Sequence, residues 1–456
     1  MKLSLGRIAE FVQGHGSFEA ASIAQGYSID TRTLIPGELF FAIRGERLDG
    51  HDYVEAALKA GAIAAVVDAV QVARWPGAPL LAVKDTTVAL QHLGAAARRL
   101  WSKKLIAVTG SAGKTTTKEC IAHLLGVRYR VLKSLGNLNN HFGLPMQLLR
   151  LEPEHDLAII EMGMSHAGEI TRLAQIAAPD EGVVTNVGLA HLESFVSQDG
   201  IARAKYELIE SLPAAGHAYL NADDPYVSQF GRDFHGRVTL YGVTHPAEWR
   251  AAEIVERGVL GSDFVLHGPQ GQIPARLPLP GRHNVMNALA GVAVAWAHGV
   301  TLEECAAALA TLTPGDKRGE VLEVEGAILV NDCYNSNPQA LDSMVCALGQ
   351  TPATRRIVLA GEMLELGPAA ARLHHQCGSN MAQHGVSIVI GVRGNATHIV
   401  EGARQAGVAS EFVDTPEEAG RWLALNLRPG DAVLLKASRG VGLERALVAF
   451  AAERGK

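Results

Sequence analysis

A glycine turn followed by a lysine lies in IAVTGSAGKTTTKE, residues 106–119, and this combination could bind phosphate. The common phosphate-binding loop follows the pattern G-x-x-x-x-G-K-[ST], but Val108 stands where its first glycine belongs. The rest of the pattern is present, because Gly113, Lys114 and Thr115 follow in their usual order. The stretch therefore predicts a nucleotide site built on an uncommon form of the loop.

The chemistry of such a loop depends on its neighbouring elements. Residues 106–108 predict a buried strand, residues 110–113 a tight turn, and the segment from Thr115 a helix. Amides at the helix start would point at an anion, Lys114 would reach the outer phosphates, and the Thr115 hydroxyl could bind Mg²⁺. The alternative is a glycine turn with an incidental lysine, and the G-K-T-T order between strand and helix argues against it.

A second candidate is Lys205 in DGIARAKYELIESLP, which shares one predicted helical face with three apolar residues. These are Ile201, Leu208 and Leu212. A lysine in an apolar stripe is costly unless it is paired or chemically altered, although its stem could also carry the ammonium out to water. Glu161 and His191 each follow a predicted strand and could converge with Lys205 on a metal ion, which the spacing alone leaves open.

An asparagine-rich segment, SLGNLNNHFGLP, spans residues 134–145 and has no apolar periodicity. Asn137, Asn139 and Asn140 give it a high density of side-chain donors and acceptors. An ordinary capped turn and a substrate-contacting loop both fit this composition, and both stay open.

Short β-rich runs that alternate with helical segments must position these residues. The runs are KLIAVTG, LAIIEMG, GVVTNVG, HAYLNADD, AILVNDC, RRIVLAG, SIVIGV and AVLLKAS. This alternation predicts an α/β fold with parallel, doubly wound sheets, and ligands bind such sheets beyond the carboxyl ends of the strands. The segment from residue 237 to residue 268 predicts a β-rich excursion before a helix in GRHNVMNALAGVAVAWAHG.

The length of 456 residues predicts about three domains, at roughly 100 to 200 residues per domain. Boundaries near Asp85 and Pro314 give domains over residues 1–84, 85–313 and 314–456. A net charge of -6 and a pI near 6.3 predict no general attraction to nucleic acid or to anionic membranes.

The start of the chain and the cysteines indicate the compartment. Arg7 and Glu10 interrupt the N-terminal apolar residues, so these residues do not form the apolar segment of a secretory signal peptide. We also find no apolar run long enough to span a membrane. The five cysteines are spread out and lack a C-x-x-C pair, which favours reduced thiols. We therefore expect a cytoplasmic protein without membrane insertion, and a monomer, although the sequence itself leaves the oligomeric state open.

Eight motifs in order over nearly the whole chain resemble the Mur ligase family, whose members form amide bonds with ATP in peptidoglycan precursor synthesis. The motifs are TGSAGKTTTKE, GNLNNHFGLP, EMGMSHAGEI, TNVGLAHLESF, AKYELIE, GRHNVMNALA, NDCYNSNP and KASRGVG. The resemblance implies a small N-terminal α/β domain that binds a UDP-sugar, a central P-loop-type parallel sheet with helices on both faces, and a C-terminal Rossmann-like ligase domain.

Within the family the MurF type is most similar, on SIDTRTLIPGELFFAIRGERLDGHDY, GEMLELG and CYNSNP. That type adds D-alanyl-D-alanine to UDP-N-acetylmuramoyl-tripeptide through an acyl phosphate, the last cytoplasmic step of pentapeptide synthesis. MurE-type ligases usually carry D-[ND]-P-[RK] after the LELG region, and LELGPAAARLHHQCG lacks it. A MurE-type or folylpolyglutamate-synthase-type ligase is the nearest alternative. A regulatory P-loop switch is another, but the guanine signature N-K-x-D is missing.

The resemblance also implies roles for residues at matching positions. The catalytic positions are Lys114, His191 and Lys205. The ATP positions are Gly110, Ser111, Ala112, Gly113, Lys114, Thr115, Thr116, Asn287, Arg318, Asp332 and Tyr334. The UDP and peptide positions are Thr31, Arg32, Arg44, Gly45, Asn137, Asn139, Asn140, Asn335 and Asn337.

Two Mg²⁺ ions are implied as well, one at Thr115 and Glu161 and one at His191 and a carbamylated Lys205. The ATP positions are split between the central and C-terminal segments, which implies domain closure. The family motif is more often G-R-G-E, whereas this chain has Lys317 before Arg318, so the turn and the role of Arg318 are less securely implied.

Overall fold

The computed structural model describes residues 1–45, 48–136, 138–188, 195, 197–313 and 317–455. Two compact units make up the chain. The first comprises Met1–Arg250 and Leu289–Thr301, and the second comprises Ala251–Ala288 and Leu302–Lys456. The predicted three-domain boundaries stay a prediction.

A small parallel sheet forms the N-terminal part of the first unit. The elements are β1 (Leu3–Ser4), α1 (Leu5–Val12), β2 (Ile23–Ala24), β3 (Gly26–Ser28), β4 (Glu38–Phe41), α2 (Val54–Lys59), β5 (Ala64–Asp68), β6 (Leu80–Val83) and α3 (Thr86–Trp101). The sheet order is β3-β4-β5-β6. Apolar residues of α1 and α3 cover one face and those of α2 cover the other, so the small sheet is buried on both sides.

A larger parallel sheet follows in the same unit. Its elements are β7 (Leu105–Thr109), α4 (Lys114–Leu125), β8 (Val131–Lys133), α5 (Gly143–Leu148), β9 (Leu157–Glu161), α6 (Glu169–Ala177), β10 (Glu181–Val184), α7 (Gln198–Glu210), β11 (His217–Asn221) and β12 (Arg237–Gly242). The strands are parallel in the order β12-β11-β10-β7-β9-β8. The four strands predicted for this segment, β7, β9, β10 and β11, are confirmed.

The predicted β-rich excursion and the helix after it are also confirmed. They consist of β12, β13 (Trp249–Glu256), β14 (Ser262–Gly268), β15 (Gly271–Leu277) and α8 (Arg282–Ala297). In the second unit β14 and β15 form an antiparallel hairpin.

The C-terminal sheet belongs to the second unit. Its elements are α9 (Leu302–Leu309), β16 (Glu320–Val324), β17 (Ala327–Asp332), α10 (Pro338–Gln350), β18 (Arg355–Gly361), α11 (Ala370–Asn380), β19 (Ile388–Val392), α12 (Ala396–Gln405), β20 (Ala409–Val413), α13 (Pro416–Asn426), β21 (Asp431–Lys436) and α14 (Arg445–Arg454). The order is β16-β17-β21-β18-β19-β20, with only β16 antiparallel among these strands.

Alternate residues of the C-terminal strands point to two separate cores. Val358 and Leu434 pack with α10, α11 and α12, whereas Leu359 and Leu435 pack with α13 and α14. This period of two explains why these strands are nearly continuous apolar runs in the sequence, since both faces are covered by helices. The doubly wound α/β fold is thus confirmed. Among the described residues, no helix is long and apolar enough to cross a membrane.

Candidate functional site

The predicted strand, turn and helix of the phosphate loop are all present. β7 ends at Thr109 and α4 begins at Lys114, with the turn between them. Val108 is fully buried in β7, where it pairs with Val183 of β10 and Glu161 of β9. The residue that replaces the usual glycine is therefore part of the sheet core, and the turn begins two residues later at Gly110.

Glycine is required at Gly110 for two reasons. Its φ is +151°, and a Cβ atom there would lie 1.8 Å from the hydroxyl oxygen of Thr185. Gly113 has φ +80°, which L side chains rarely adopt. Gly110 therefore allows the loop to approach the end of β10, and Gly113 allows the left-handed turn before α4.

Residues after β10 hold the loop in place. The N–H of Ser111 donates to the carbonyl of Asn186 at 3.0 Å, and the N–H of Ala112 donates to Asn186 Oδ1 at 2.9 Å. The Thr185 hydroxyl donates to the carbonyl of Ala112 at 2.6 Å. A helix start leaves its first N–H groups without helical acceptors, so those of residues 113–116 stay available to an anion.

Glu161 lies at the carboxyl end of β9, beside the start of α4. It is only 2% exposed, and its Oε2 accepts a hydrogen bond from the Thr115 hydroxyl at 2.9 Å. Its Oε1 accepts one from Asn139 Nδ2 at 2.8 Å. Within the described part of the chain, no cationic side chain lies within ion-pair distance of this carboxylate. A buried carboxylate and a hydroxyl are thus together, as the sequence predicted, and both offer oxygen atoms suited to Mg²⁺.

The two candidate lysines differ in exposure, since Lys114 is half-buried and Lys205 is buried. Lys114 is the first residue of α4 and donates to the carbonyl of Gly110 at 2.8 Å. Burial lowers its pKa, and the charge of Glu161 acts in the opposite direction. Lys205 is 2% exposed in the apolar face of α7, so the idea that its ammonium reaches water is wrong. Burial, with the nearby charge of Lys114, lowers the pKa of Lys205 to about 7, so much of this amine is neutral near pH 7.

The asparagine-rich segment combines both of its expected roles. Asn140 Oδ1 accepts the N–H of Gly143 at 2.9 Å, which is an ordinary turn at the start of α5. Asn139 instead contacts Glu161, and both Asn139 and Asn140 line the cavity described below. Asn137 and His191 lie outside the described residues. Among those that are described, no cluster of three or more His, Cys, Asp or Glu side chains could hold a metal ion.

A cavity of about 1510 Å³ in the first unit contains both lysines in its wall. Other parts of the wall come from Arg44 and Gly45 of the N-terminal part, from α3 and from α6. The predicted UDP residues therefore separate into two groups. Arg44 and Gly45 line this cavity, whereas Arg32 pairs with Asp30 at 2.5 Å on the surface and Thr31 precedes it.

Two carboxylates hold Arg44, and a buried histidine supports both. Arg44 Nε donates to Asp49 Oδ2 at 3.1 Å, and its Nη2 lies 3.7 Å from Asp68 Oδ2. His51 Nε2 accepts the N–H of Asp68 at 3.0 Å, so its Nδ1 carries the proton that bonds Asp49 Oδ1 at 2.6 Å. Although burial of Asp49 acts in the opposite direction, its hydrogen bonds to His51 and Arg44 hold its pKa at about 2. This group was not predicted from the sequence, although DGHDY contains two of its members, Asp49 and His51.

The remaining ATP positions belong to the second unit. Arg318 stacks on the Tyr334 ring, with 3.8 Å between the guanidinium carbon and the ring centroid. Lys436, at the end of β21, donates to Asp332 Oδ2 at 2.5 Å and to the Asn335 carbonyl at 2.9 Å. Burial raises the pKa of Asp332 despite this partner. Lys436 was missed in the sequence, although it lies in the quoted motif KASRGVG.

Three further residues of the second unit make contacts that stabilise local structure. Asn337 caps α10 by accepting the N–H of Ala340 at 2.8 Å, and Asn287 is buried in α8, where its side chain donates to Asn284. Lys317 has φ +57°, a conformation that favours glycine, and its ammonium pairs with Glu444 at 2.8 Å. The departure from G-R-G-E thus falls where glycine would adopt the turn without strain.

Three family models match the chain. They are the Mur ligase family, catalytic domain, over residues 24–139, the Mur ligase middle domain over residues 108–295, and the Mur ligase, glutamate ligase domain, over residues 317–439. The UDP-N-acetylmuramoyl-tripeptide--D-alanyl-D-alanine ligase of Bacillus subtilis (strain 168) is 34% identical over 458 residues, covering 97% of each chain.

Solved structures give the same likeness. A crystal structure of MurF from Acinetobacter baumannii matches with a TM-score of 0.90 and 31% identity, covering 98% of each chain. A MurF ligase from Thermotoga maritima in complex with ADP matches with a TM-score of 0.78 and 27% identity, covering 94% of this chain and 97% of that one.

Proposed function

Because this chain belongs to the Mur ligase family and is of its MurF type, we propose that it is an ATP-dependent ligase that adds D-alanyl-D-alanine to UDP-N-acetylmuramoyl-tripeptide. The observation that carries the proposal is the cavity of the first unit. Its wall includes the phosphate-loop lysine, Lys114, together with Lys205, Asn139 and the supported Arg44. A nucleotide site and a site for a large anionic substrate would thus share one space.

The reaction consists of two transfers. The terminal carboxylate of the tripeptide attacks the γ-phosphorus of ATP, which gives an acyl phosphate and ADP. The free amine of D-alanyl-D-alanine then attacks the acyl carbon, and phosphate leaves from the tetrahedral intermediate as the amine loses a proton. Negative charge on the phosphoryl oxygens increases in the first transfer, so Lys114 and the free amides at the start of α4 would stabilise it.

Arg44 would act at the other end of the substrate. Its guanidinium is exposed to the cavity but is oriented by Asp49 and Asp68, which leaves part of its donor fork for the diphosphate of a UDP-sugar. Gly45 follows it in the wall. We also propose the roles given above for Thr31, Arg32 and the asparagine-rich loop.

Magnesium is the ion that the donor set fits. Thr115 and Glu161 present neutral and anionic oxygen atoms with no competing cation among the described residues, and both are next to the loop. Bound Mg²⁺ would offset the charge of the transferred phosphate. We propose His191 and a carbamylated Lys205 as ligands of a second ion.

The surroundings of Lys205 favour its carbamylation. It is buried in an apolar helix face, and no carboxylate among the described residues pairs with it. The neutral amine would add to CO₂ and release one proton, which converts a costly buried cation into an anion with two oxygen atoms.

In the second unit we propose ATP contacts for Asn287, Arg318, Asp332 and Tyr334. The stacked pair of Arg318 and Tyr334 offers a planar cation beside an aromatic face. Lys436 donates a hydrogen bond to Asp332 and so holds its carboxyl group in place. The matching peptide positions there are Asn335 and Asn337. The domains at 1–84, 85–313 and 314–456 also stay part of this proposal.

The decisive experiment measures ADP and phosphate release by the purified protein. Both should require the UDP-tripeptide and D-alanyl-D-alanine together, and release with that pair at the background rate would refute the proposal. Replacing the dipeptide by diaminopimelate, lysine or glutamate tests the MurE-type and folylpolyglutamate-synthase-type alternatives. Faster turnover with one of these amino acids would favour that alternative.

A further inference from the structure

Arg172 is a charged residue of the cavity wall that has no protein partner among the described residues. It lies in α6 with an exposed side chain, and none of those residues bonds or pairs with its guanidinium. A guanidinium carries five donors and stays charged at any ordinary pH. Its donors therefore face the space that the substrate would fill.

Three other charged groups of the wall have contacts within the protein. Arg44 pairs with two aspartates, and Lys114 donates to a loop carbonyl. Glu169 accepts the backbone N–H groups of Ser165 and His166 at 2.6 and 3.1 Å. The carboxylate that lies nearest to Arg172 along α6 is thus committed to a turn of the backbone.

The backbone beside Arg172 is tied to the helix that carries Lys205. Glu207, two residues after Lys205 in α7, accepts the N–H and the hydroxyl of Thr171 at 3.0 and 3.1 Å. Its other oxygen accepts the N–H of Gly168 at 2.7 Å. The Cα atom of Arg172, which directly follows Thr171, is therefore held at a defined place relative to α7.

The substrate brings a side chain to this region. The inference rests on the proposed function, in which the carboxylate that reacts beside Lys114 and Lys205 belongs to the third residue of the peptide. The side chain of that residue would then contact another part of the same cavity wall, to which Arg172 belongs. It ends in an ammonium alone if the residue is lysine, and in an ammonium and a carboxylate if the residue is diaminopimelate.

We propose that Arg172 binds the side-chain carboxylate of the third residue, so that the cavity selects a tripeptide ending in diaminopimelate over one ending in lysine. A guanidinium binds a carboxylate through two parallel hydrogen bonds. A lysine side chain would place a second cation beside Arg172 and leave the guanidinium without a partner, which weakens binding.

The test compares two substrates with one amine. Initial rates of D-alanyl-D-alanine-dependent ADP formation are measured with UDP-N-acetylmuramoyl-tripeptides that end in diaminopimelate or in lysine. A charged hydrogen bond predicts that wild-type kcat/KM favours diaminopimelate by roughly 10- to 100-fold, mainly through KM. Arg172→Gln should bring this ratio close to one, and Arg172→Lys should restore part of it. Arg99→Gln is the matched control, because Arg99 is an exposed arginine of α3 outside the cavity wall.

Each other outcome has a defined meaning. A wild-type preference for lysine, or an equal loss with both tripeptides in Arg172→Gln, would overturn the inference, since Arg172 would then bind a group common to both. Melting curves of both Arg172 variants establish that they are folded. If neither tripeptide supports ADP formation with D-alanyl-D-alanine, the proposed function fails and this inference fails with it. Activity with both and no preference refutes the inference alone.

Discussion

The two edges of the large parallel sheet each bury a glutamate, and the surroundings of these two residues differ. Glu161 ends β9 at the carboxyl edge, where its described partners are a hydroxyl and a side-chain amide. Glu181 begins β10 at the amino edge and is 4% exposed. Its oxygen atoms contact His298 at 3.2 Å, the Tyr219 hydroxyl at 2.9 Å and Lys104 at 3.4 Å.

At the amino edge, the charge of Glu181 is balanced by hydrogen bonds and by nearby positive charge. Burial of Glu181 opposes its ionisation, but the hydrogen bond and charge of His298, with Tyr219 and Lys104, hold its pKa at about 2. The ring of His217 stacks on Tyr219 with 4.0 Å between centroids. At the carboxyl edge, neither Lys114 nor Lys205 lies within ion-pair distance of Glu161. Charges that satisfy one another stabilise a fold, whereas charges kept apart are available for ligands.

The largest expected effect is at the carboxyl edge. Lys114→Ala should lower the rate of ADP formation by roughly 10²- to 10³-fold, because one donor to the transferred phosphate is lost. The melting temperature should not fall, since a half-buried cation without a carboxylate partner is removed. Lys104→Ala is the matched lysine of the other edge and should keep most of its activity. Equal losses in the two variants would contradict the contrast between the edges.

The second prediction concerns Glu181, where we expect a loss of stability and little loss of activity. Glu181→Gln should destabilise the protein by about 3 kcal/mol, because His298 and Lys104 lose their buried counter-charge. Differential scanning calorimetry should show a melting temperature lower by roughly 6 to 12 °C. The rate of ADP formation well below that temperature should be close to that of wild type. Glu161→Gln is the matched variant and should lose activity without a comparable fall in melting temperature.

A third prediction concerns Lys205. Lys205→Ala should lower activity by roughly 10²-fold, since the proposed carbamate would supply metal-binding oxygen atoms. Bicarbonate should not restore the rate, whereas a short-chain carboxylic acid should restore part of it, because its carboxylate can occupy the vacated space. Chloride at the same ionic strength is the control. Full activity of the variant would refute the carbamate.

The smallest effect is in the pH dependence of stability. Burial lowers the pKa of His217 from its usual 6.5 to about 4, so between these values the unfolded chain binds a proton that the folded protein does not. Stability should thus fall as pH falls from 6.5 to 4, and further from 4.5 towards 2 as Glu181 is protonated. Melting curves at pH 7, 5.5 and 4 should show a smaller loss in His217→Gln. Identical slopes in both proteins would contradict the assignment to His217.

Much of the site could be predicted because its parts are local. The phosphate loop is a strand, a turn and a helix within 21 consecutive residues. The glycines mark the turn, and apolar residues mark the strand and the helix. Lys205 was recognised because a charge in an apolar stripe breaks such a pattern. Glu161 was recognised because polar residues at strand ends meet at one edge of a parallel sheet.

The residues that hold these groups in place could not be predicted from local sequence patterns. Thr185 and Asn186 hold a loop that is more than 70 residues earlier in the chain. Asp68 reaches Arg44 only because β5 adjoins β4 in the small sheet. Contacts between residues so distant in sequence leave no periodic pattern. They depend on the order of the strands in the sheet and not on the sequence around either residue.

Local patterns in the chain were thus sufficient for the fold class, most strands of the two large sheets and the candidates Lys114, Glu161 and Lys205, whereas β8, β16 and β20 were not predicted. Tertiary packing alone decided that Lys205 is buried beside another cation, that Glu161 meets Thr115 and Asn139, and that Arg172 faces a cavity without a described partner. The physical reason is that hydrophobic periodicity depends only on residues that are close in sequence. Burial and charge balance arise only when separate elements come together.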